Sequence, residues 1–121
     1  MSRVRRPASL IALLISLVLV WPAGAADLML ALLSVSTPAP RGSEALIRVQ
    51  TVAGAACSIE VRYRSGLSKA RGLEPKAADA RGVVSWQWQV GSATTRGRWP
   101  IVVTCSKGPD RGSLYTNFDV R

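Results

Sequence analysis

From residue 45 onward, hydrophobic and polar positions alternate with a period of two, the spacing that places successive side chains on opposite faces of a strand. In residues 45–52, Ala45, Ile47 and Val49 stand against Leu46, Arg48 and Gln50; in residues 57–64, Cys57, Ile59, Val61 and Tyr63 stand against Ser58, Glu60, Arg62 and Arg64. Val84, Trp86, Trp88 and Val90 oppose Ser85, Gln87 and Gln89. Trp99, Ile101, Val103 and Cys105 share one face of residues 99–105, and Leu114, Thr116, Phe118 and Val120 alternate with Tyr115, Asn117 and Asp119. Each of these five segments predicts a strand with one buried face, and no window of helical period is long enough to compete.

A further strand over residues 29–36 is predicted to open the domain, stopped by Thr37-Pro38-Ala39-Pro40-Arg41-Gly42, where two prolines oppose regular pairing. Residues 53–56 form a turn of small residues. Residues 92–97 and 107–112 read as connections punctuated by Gly or Pro. The longest stretch without a pattern, residues 65–82, is shortened if a brief edge strand forms around residues 67–73. Six or seven short strands at this spacing predict an all-β fold, two antiparallel sheets packed face to face, with a small closed barrel as the alternative.

The N-terminus follows a different pattern. Arg3, Arg5 and Arg6 precede an apolar run over residues 10–21 that only Ser16 interrupts, and Pro22-Ala23-Gly24-Ala25-Ala26 supplies small residues. That order is the order of a cleaved export signal. Residues 1–26 are therefore expected to be a signal peptide, cut after Ala25 or Ala26, and residues 27–121 the domain. The competing reading is a retained anchor. It needs about 20 consecutive apolar residues, and extending the run that far takes in Pro22, Gly24 and Asp27.

Export changes the meaning of the two cysteines. Cys57 and Cys105 are the only pair in the chain, and an even count in an oxidising compartment predicts a disulfide. A metal site on two cysteines lacks further ligands, because the chain has no histidine. Both cysteines fall on the apolar side of their predicted strands, where a bridge in the core would begin. The charge balance is also altered. The full chain carries +9 from sixteen basic and seven acidic side chains; the segment after residue 26 keeps thirteen basic and all seven acidic ones, for +6.

The run Ala78-Asp79-Ala80-Arg81-Gly82-Val83-Val84-Ser85-Trp86-Gln87-Trp88 resembles the acidic residue, spacers, glycine and strand found in bacterial immunoglobulin-like domains. Thr95-Arg96-Gly97-Arg98-Trp99-Pro100-Ile101-Val102-Val103-Thr104-Cys105 resembles the turn and strand that follow. From about residue 38 to the C-terminus the chain is similar to the immunoglobulin-like or fibronectin type III-like modules of exported bacterial proteins. The resemblance implies an Ig-like sandwich in an extracytoplasmic setting and transfers no catalytic residue. One departure stands out: antibody domains bridge their two sheets, whereas Cys57 and Cys105 are expected on strands of one sheet.

Candidate chemistry narrows the functional classes. Without histidine the commonest general base is missing, and Ser-His-Asp or Cys-His nucleophile chemistry is excluded. A carboxylate pair remains as an enzymatic route, from Glu60, Glu74, Asp79, Asp110 and Asp119, but all five read as solvated strand or turn charges. No cofactor and no metal ion is implied. Binding is the stronger expectation. Trp86 and Trp88 project to one side of a strand and suit either the core or an aromatic platform for a sugar; Trp99, beside a basic turn, is the tryptophan expected to stay partly exposed. Arg48, Arg62 and Arg64 on outward strand faces, with Lys69, Arg71, Lys76, Arg81, Arg96 and Arg98 in or beside loops, form a basic surface suited to an anionic envelope polymer, a polysaccharide or another envelope protein. The same charges also suit solvated faces that resist edge pairing. Glu60 interrupts the patch, no aromatic residues interleave with it, and specific nucleic-acid binding is not expected. Membrane contact is expected only through the signal peptide.

The sequence therefore predicts a secreted, periplasmic or envelope-associated, disulfide-bonded module, non-catalytic, that binds or supports a partner. Its candidate ligand-binding residues are Trp99, Arg96, Arg98, Arg62 and Arg64. The alternative is a carbohydrate-binding module built on exposed tryptophans.

Overall fold

The computed structural model describes residues 26–121. Residues 1–25, which carry the expected export signal, lie outside the described residues, and so does the choice between cleavage and anchoring. Eight strands follow in order: β1 (Ala31–Val35), β2 (Glu44–Gln50), β3 (Ala56–Tyr63), β4 (Gly66–Leu67), β5 (Lys76–Ala77), β6 (Val83–Gln89), β7 (Gly97–Lys107) and β8 (Asp110–Val120). No helix forms among the described residues. The strands build two antiparallel sheets, one in the order β1-β2-β6 and the other β4-β3-β7-β8 with β5 on β3. The architecture is an all-β sandwich of two antiparallel sheets. Of its six strands of five or more residues, five are those that the period-2 pattern predicts, and β1 is the further strand expected to open the domain.

The inward positions are the predicted apolar ones. Ile47 and Val49 of β2, Val84, Trp86 and Trp88 of β6, Ile101 and Val103 of β7, and Phe118 and Val120 of β8 are all buried in one cluster. β2 and β6 align Ile47 with Trp86 and Ala45 with Trp88, so each tryptophan sits over a smaller partner and fills the space between the sheets. At fully buried positions, side chains of this size stabilise by about 1.5–3 kcal/mol each.

Three expectations need correction. The predicted edge strand over residues 67–73 does not form: only Gly66–Leu67 pairs, closing a tight hairpin on β3, while Lys76–Ala77 pairs with the start of β3. The intervening chain instead covers the free edge of β6. Lys76 Nζ donates to the Ser85 carbonyl at 2.9 Å, the Trp86 indole N–H donates to the Glu74 carbonyl at 2.8 Å, and Asp79 N–H to the Val83 carbonyl at 3.0 Å. Gly72 makes this approach feasible. Its φ is +96°, and a Cβ there would overlap the Gln87 carbonyl oxygen.

Second, the connection predicted over residues 107–112 shrinks to Gly108–Pro109. β7 and β8 form one long hairpin, paired from Gly97↔Val120 to Lys107↔Asp110, because a two-residue loop with a left-handed glycine matches the twist of its strands. Asp110 thereby lies in a strand. Third, Arg48 and Arg62 do not share a surface. β2 and β3 belong to different sheets, so their outward faces lie on opposite sides of the sandwich.

The hairpin also settles the disulfide. Lys107 and Asp110 close the turn as a hydrogen-bonded pair, so odd-numbered residues of β7 bond to β8 and even-numbered ones to β3. Cys57 and Cys105 are opposite each other in the β3–β7 register and occupy a non-hydrogen-bonded position, where strands come closest. Their Cα atoms are 4.0 Å apart and their sulfurs are bonded. The bridge joins neighbouring strands of a single sheet, as expected from the sequence.

The N-terminal segment spans the two sheets. Leu28 N–H donates to the Arg111 carbonyl and Arg111 N–H to the Ala26 carbonyl, β1 then crosses to pair with β2, and Ala39 returns to bond Asp119 and Arg121 beside the end of β8.

Candidate functional site

Antiparallel pairing of β3 with β7 brings the end of β3 to the start of β7, and so brings Tyr63 against Trp99. Their rings meet edge to face, centroids 6.1 Å apart. Tyr63 also touches Phe118, which in turn meets Trp88 edge to face at 5.6 Å. A file of four aromatic rings thus runs from the core to this end of the sandwich. The loop between β6 and β7 closes over it: the Trp99 indole N–H donates to the Thr95 carbonyl at 2.8 Å, which fixes the half-buried ring against its own turn.

Between this loop and the β3–β4 turn lies a partly open cleft of about 140 Å³, lined by Tyr63, Arg64, Ser65, Ala93, Thr94 and Thr95. Its polar side chains are one guanidinium, one phenol and three hydroxyls. Tyr63 Oη accepts the Trp88 indole N–H at 3.2 Å, and its own proton has no acceptor among the described residues. Burial raises the Tyr63 pKa above its ordinary value, partly offset by the Trp88 hydrogen bond, so the phenol stays a donor at neutral pH. Arg64 makes no ion pair among the described residues, and neither does Arg96, one residue beyond Thr95.

Two other predicted cations face carboxylates. Arg98 Nε donates to Asp119 Oδ1 at 3.0 Å, and this hydrogen bond, with the carboxylate's charge, raises the Arg98 pKa. Arg62 lies 3.8 Å from Glu60 on the solvated face of β3. Of the five candidate residues, Arg64 lines the cleft, Trp99 and Arg96 flank it through Thr95, and Arg62 and Arg98 are tied to carboxylates. Tyr63, Ser65, Thr94 and Thr95 were not singled out by the sequence: Tyr63 reads as one more core position of β3, and the others lie in loops without a period.

Trp86 and Trp88 cannot form a sugar platform. Both are buried, their indole N–H groups spent on Glu74 and Tyr63. The acidic side chains hold local partners: Asp79 accepts the Arg81 and Val83 N–H groups, Glu74 the Gly72 N–H, Asp110 the Ala26 N–H, Asp119 Arg98, and Glu60 faces Arg62. No group of three metal-ligating side chains occurs among the described residues.

No protein-family model matches the chain, and neither does any curated protein sequence. Among solved structures it is similar to the sulfur carrier protein SoxY from Chlorobium limicola f thiosulfatophilum, with 15% identity over 76% of this chain and 78% of that one and a TM-score of 0.48. It is also similar to a family 123 glycoside hydrolase from Clostridium perfringens, with 9% identity over 68% of this chain and 21% of that one and a TM-score of 0.38. At these values neither similarity carries a residue role to this chain.

Proposed function

We propose that the chain is a non-catalytic binding module of the immunoglobulin-like type found on exported bacterial proteins, acting in the periplasm, in the cell envelope or outside the cell on an anionic partner. The observation that carries this reading is the cleft at the Tyr63–Trp99 end, whose lining residues bring one guanidinium, one phenol and three hydroxyls, from Arg64, Tyr63, Ser65, Thr94 and Thr95, and no carboxylate. Such a set favours carboxylate or phosphate oxygens, because guanidinium and hydroxyl donors pair with them through charge-assisted hydrogen bonds. Arg96 adds a second cation at the rim. The disulfide supports an oxidising compartment. The reading needs neither cofactor nor metal ion.

Binding to polygalacturonate, a carboxylated polysaccharide, tests it, with neutral dextran as the control. Raising ionic strength from about 0.01 to about 1 M shortens the screening length from about 30 to about 3 Å, and binding is expected to fall steeply. The double substitution Arg64→Ala and Arg96→Ala is expected to weaken it about tenfold, or 1.4 kcal/mol. Salt-independent binding, or an unchanged double variant, overturns the reading.

A further inference from the structure

The two-residue turn at Gly108–Pro109 fixes which backbone groups of β8 face outward. Even-numbered residues bond to β7, so the N–H and C=O of Arg111, Ser113, Tyr115, Asn117 and Asp119 point to the free edge of the five-stranded sheet. At the two ends this edge is covered. Arg111 exchanges bonds with Ala26 and Leu28; Asp119 accepts from Ala39 N–H and donates to Thr37 Oγ1. Between them, the N–H and C=O of Ser113, Tyr115 and Asn117 have no partner among the described residues.

Four of the five large exposed hydrophobic residues among the described ones belong to β8, to β1 or to the lead into β1. Tyr115 is 69% exposed, Met29 55%, Leu33 48% and Leu32 39%, and Leu67 is the one other large exposed hydrophobic residue among the described ones. β1 passes close to β8, and the lead into it crosses Gly112, where the Leu28 carbonyl oxygen and the Leu30 side chain fill the space that a Cβ would need. Leu32 is opposite the inward-facing Val49, and Leu33 is the extra residue of a bulge. An apolar rim therefore borders a row of unpaired strand donors and acceptors.

We propose that this window of β8 docks a short extended segment of another protein, which adds as a strand to the five-stranded sheet and turns alternate apolar side chains toward Leu32 and Leu33. Main-chain pairing supplies the affinity and alternate side chains the selectivity in this mode of recognition. The length of the window argues against a second copy of the chain. Five strand residues cover about 17 Å, which at one strand's width is a footprint of roughly 80 Å². Even several-fold enlarged by side chains, it falls well below the about 800 Å² per partner of a stable dimer. A second β8 lying antiparallel would also bring its own segments 26–28 and 37–39 into the space that the first copy's segments already fill.

The test is a titration of the ¹⁵N-labelled, disulfide-bonded protein with capped heptapeptides that alternate threonine with valine, leucine or tyrosine. Slowed hydrogen exchange at the Ser113, Tyr115 and Asn117 amides is expected, with shifts at Met29, Leu32 and Leu33. Tyr115→Pro removes an N–H that no ladder bond uses and is expected to weaken binding at least about tenfold. If that variant fails to fold, Leu33→Ser and peptides N-methylated at alternate positions carry the test, each expected to bind several-fold more weakly. The proposal is overturned if none of the peptides protects these three amides, if Tyr115→Pro folds and binds unchanged, or if the amides become protected on raising protein concentration alone.

Discussion

At the scale of single residues, Tyr63 joins the core to the candidate site. Its ring continues the aromatic file that begins at Trp88, and its hydroxyl is the acceptor for the buried Trp88 indole N–H. Tyr63→Phe keeps the ring and leaves that N–H without a partner, a loss of about 1–3 kcal/mol for a buried unsatisfied donor, measurable as a lower midpoint in urea. The substitution also bears on pH. Desolvation raises the folded-state pKa of Tyr63 above its ordinary value near 10, so the folded protein holds this proton more tightly than the unfolded chain. The resulting stability is fully present below the unfolded value and is lost as pH rises through the folded one. Urea midpoints followed into the alkaline range are expected to fall more steeply for the native protein than for Tyr63→Phe.

At the scale of elements, the turn before β6 and the stretch covering its edge decide how the smaller sheet ends. Asp79 Oδ1 accepts the Arg81 and Val83 N–H groups at 2.9 Å each, and these bonds hold its carboxyl below the ordinary range, with Arg81 and Arg48 adding to the effect. Its contribution is present above the unfolded carboxylate pKa and is lost as pH falls through the lower folded value; an NMR titration of the Asp79 carboxyl is expected to place its midpoint below that of a free aspartate. Gly72→Ala tests the covering stretch. The left-handed backbone alone costs a side chain about 1–2 kcal/mol, and the overlap with the Gln87 carbonyl adds to it, so a loss of more than about 2 kcal/mol in chemical denaturation is expected. These elements also mark what the sequence makes legible. Five strands were readable because each buries one face, and burial writes itself into the chain as alternation; β1, exposed from Ala31 to Ser34, carries no such alternation and is marked only by the prolines that follow it. The path of residues 68–79 was not, because the apolar side chains that anchor it, Ala70, Leu73 and Ala78, follow no regular period, and the rest of its hold comes from carbonyl oxygens and one left-handed glycine. For the same reason Arg64 and Trp99 were legible as candidates while Thr94 and Thr95, which complete the cleft from a loop, were not.

At the scale of the whole molecule, the position of the disulfide determines what its loss does. A bridge between sheets would clamp the sandwich shut. Here Cys57 and Cys105 are in-register neighbours on β3 and β7, and contact between the sheets rests on Trp86, Trp88, Phe118 and their aliphatic partners. The bridge therefore acts chiefly on the unfolded chain, where closing a loop of 48 residues is worth about 4 kcal/mol in the chain-entropy account. A domain of this size has about 5–15 kcal/mol of stability in total, so the paired substitution Cys57→Ala and Cys105→Ala is expected to leave a folded but much weakened sandwich. Its denaturation midpoint should fall by an amount equivalent to about 4 kcal/mol, while slow amide exchange in β2 and β6, which lie in the other sheet, persists at 25 °C under native conditions. Loss of that protection in a variant that still retains the β3–β7 ladder would show instead that the bridge supports the packing between sheets. The register makes the first outcome the expected one, because the ladder on either side of the cysteines already holds β3 and β7 together without it.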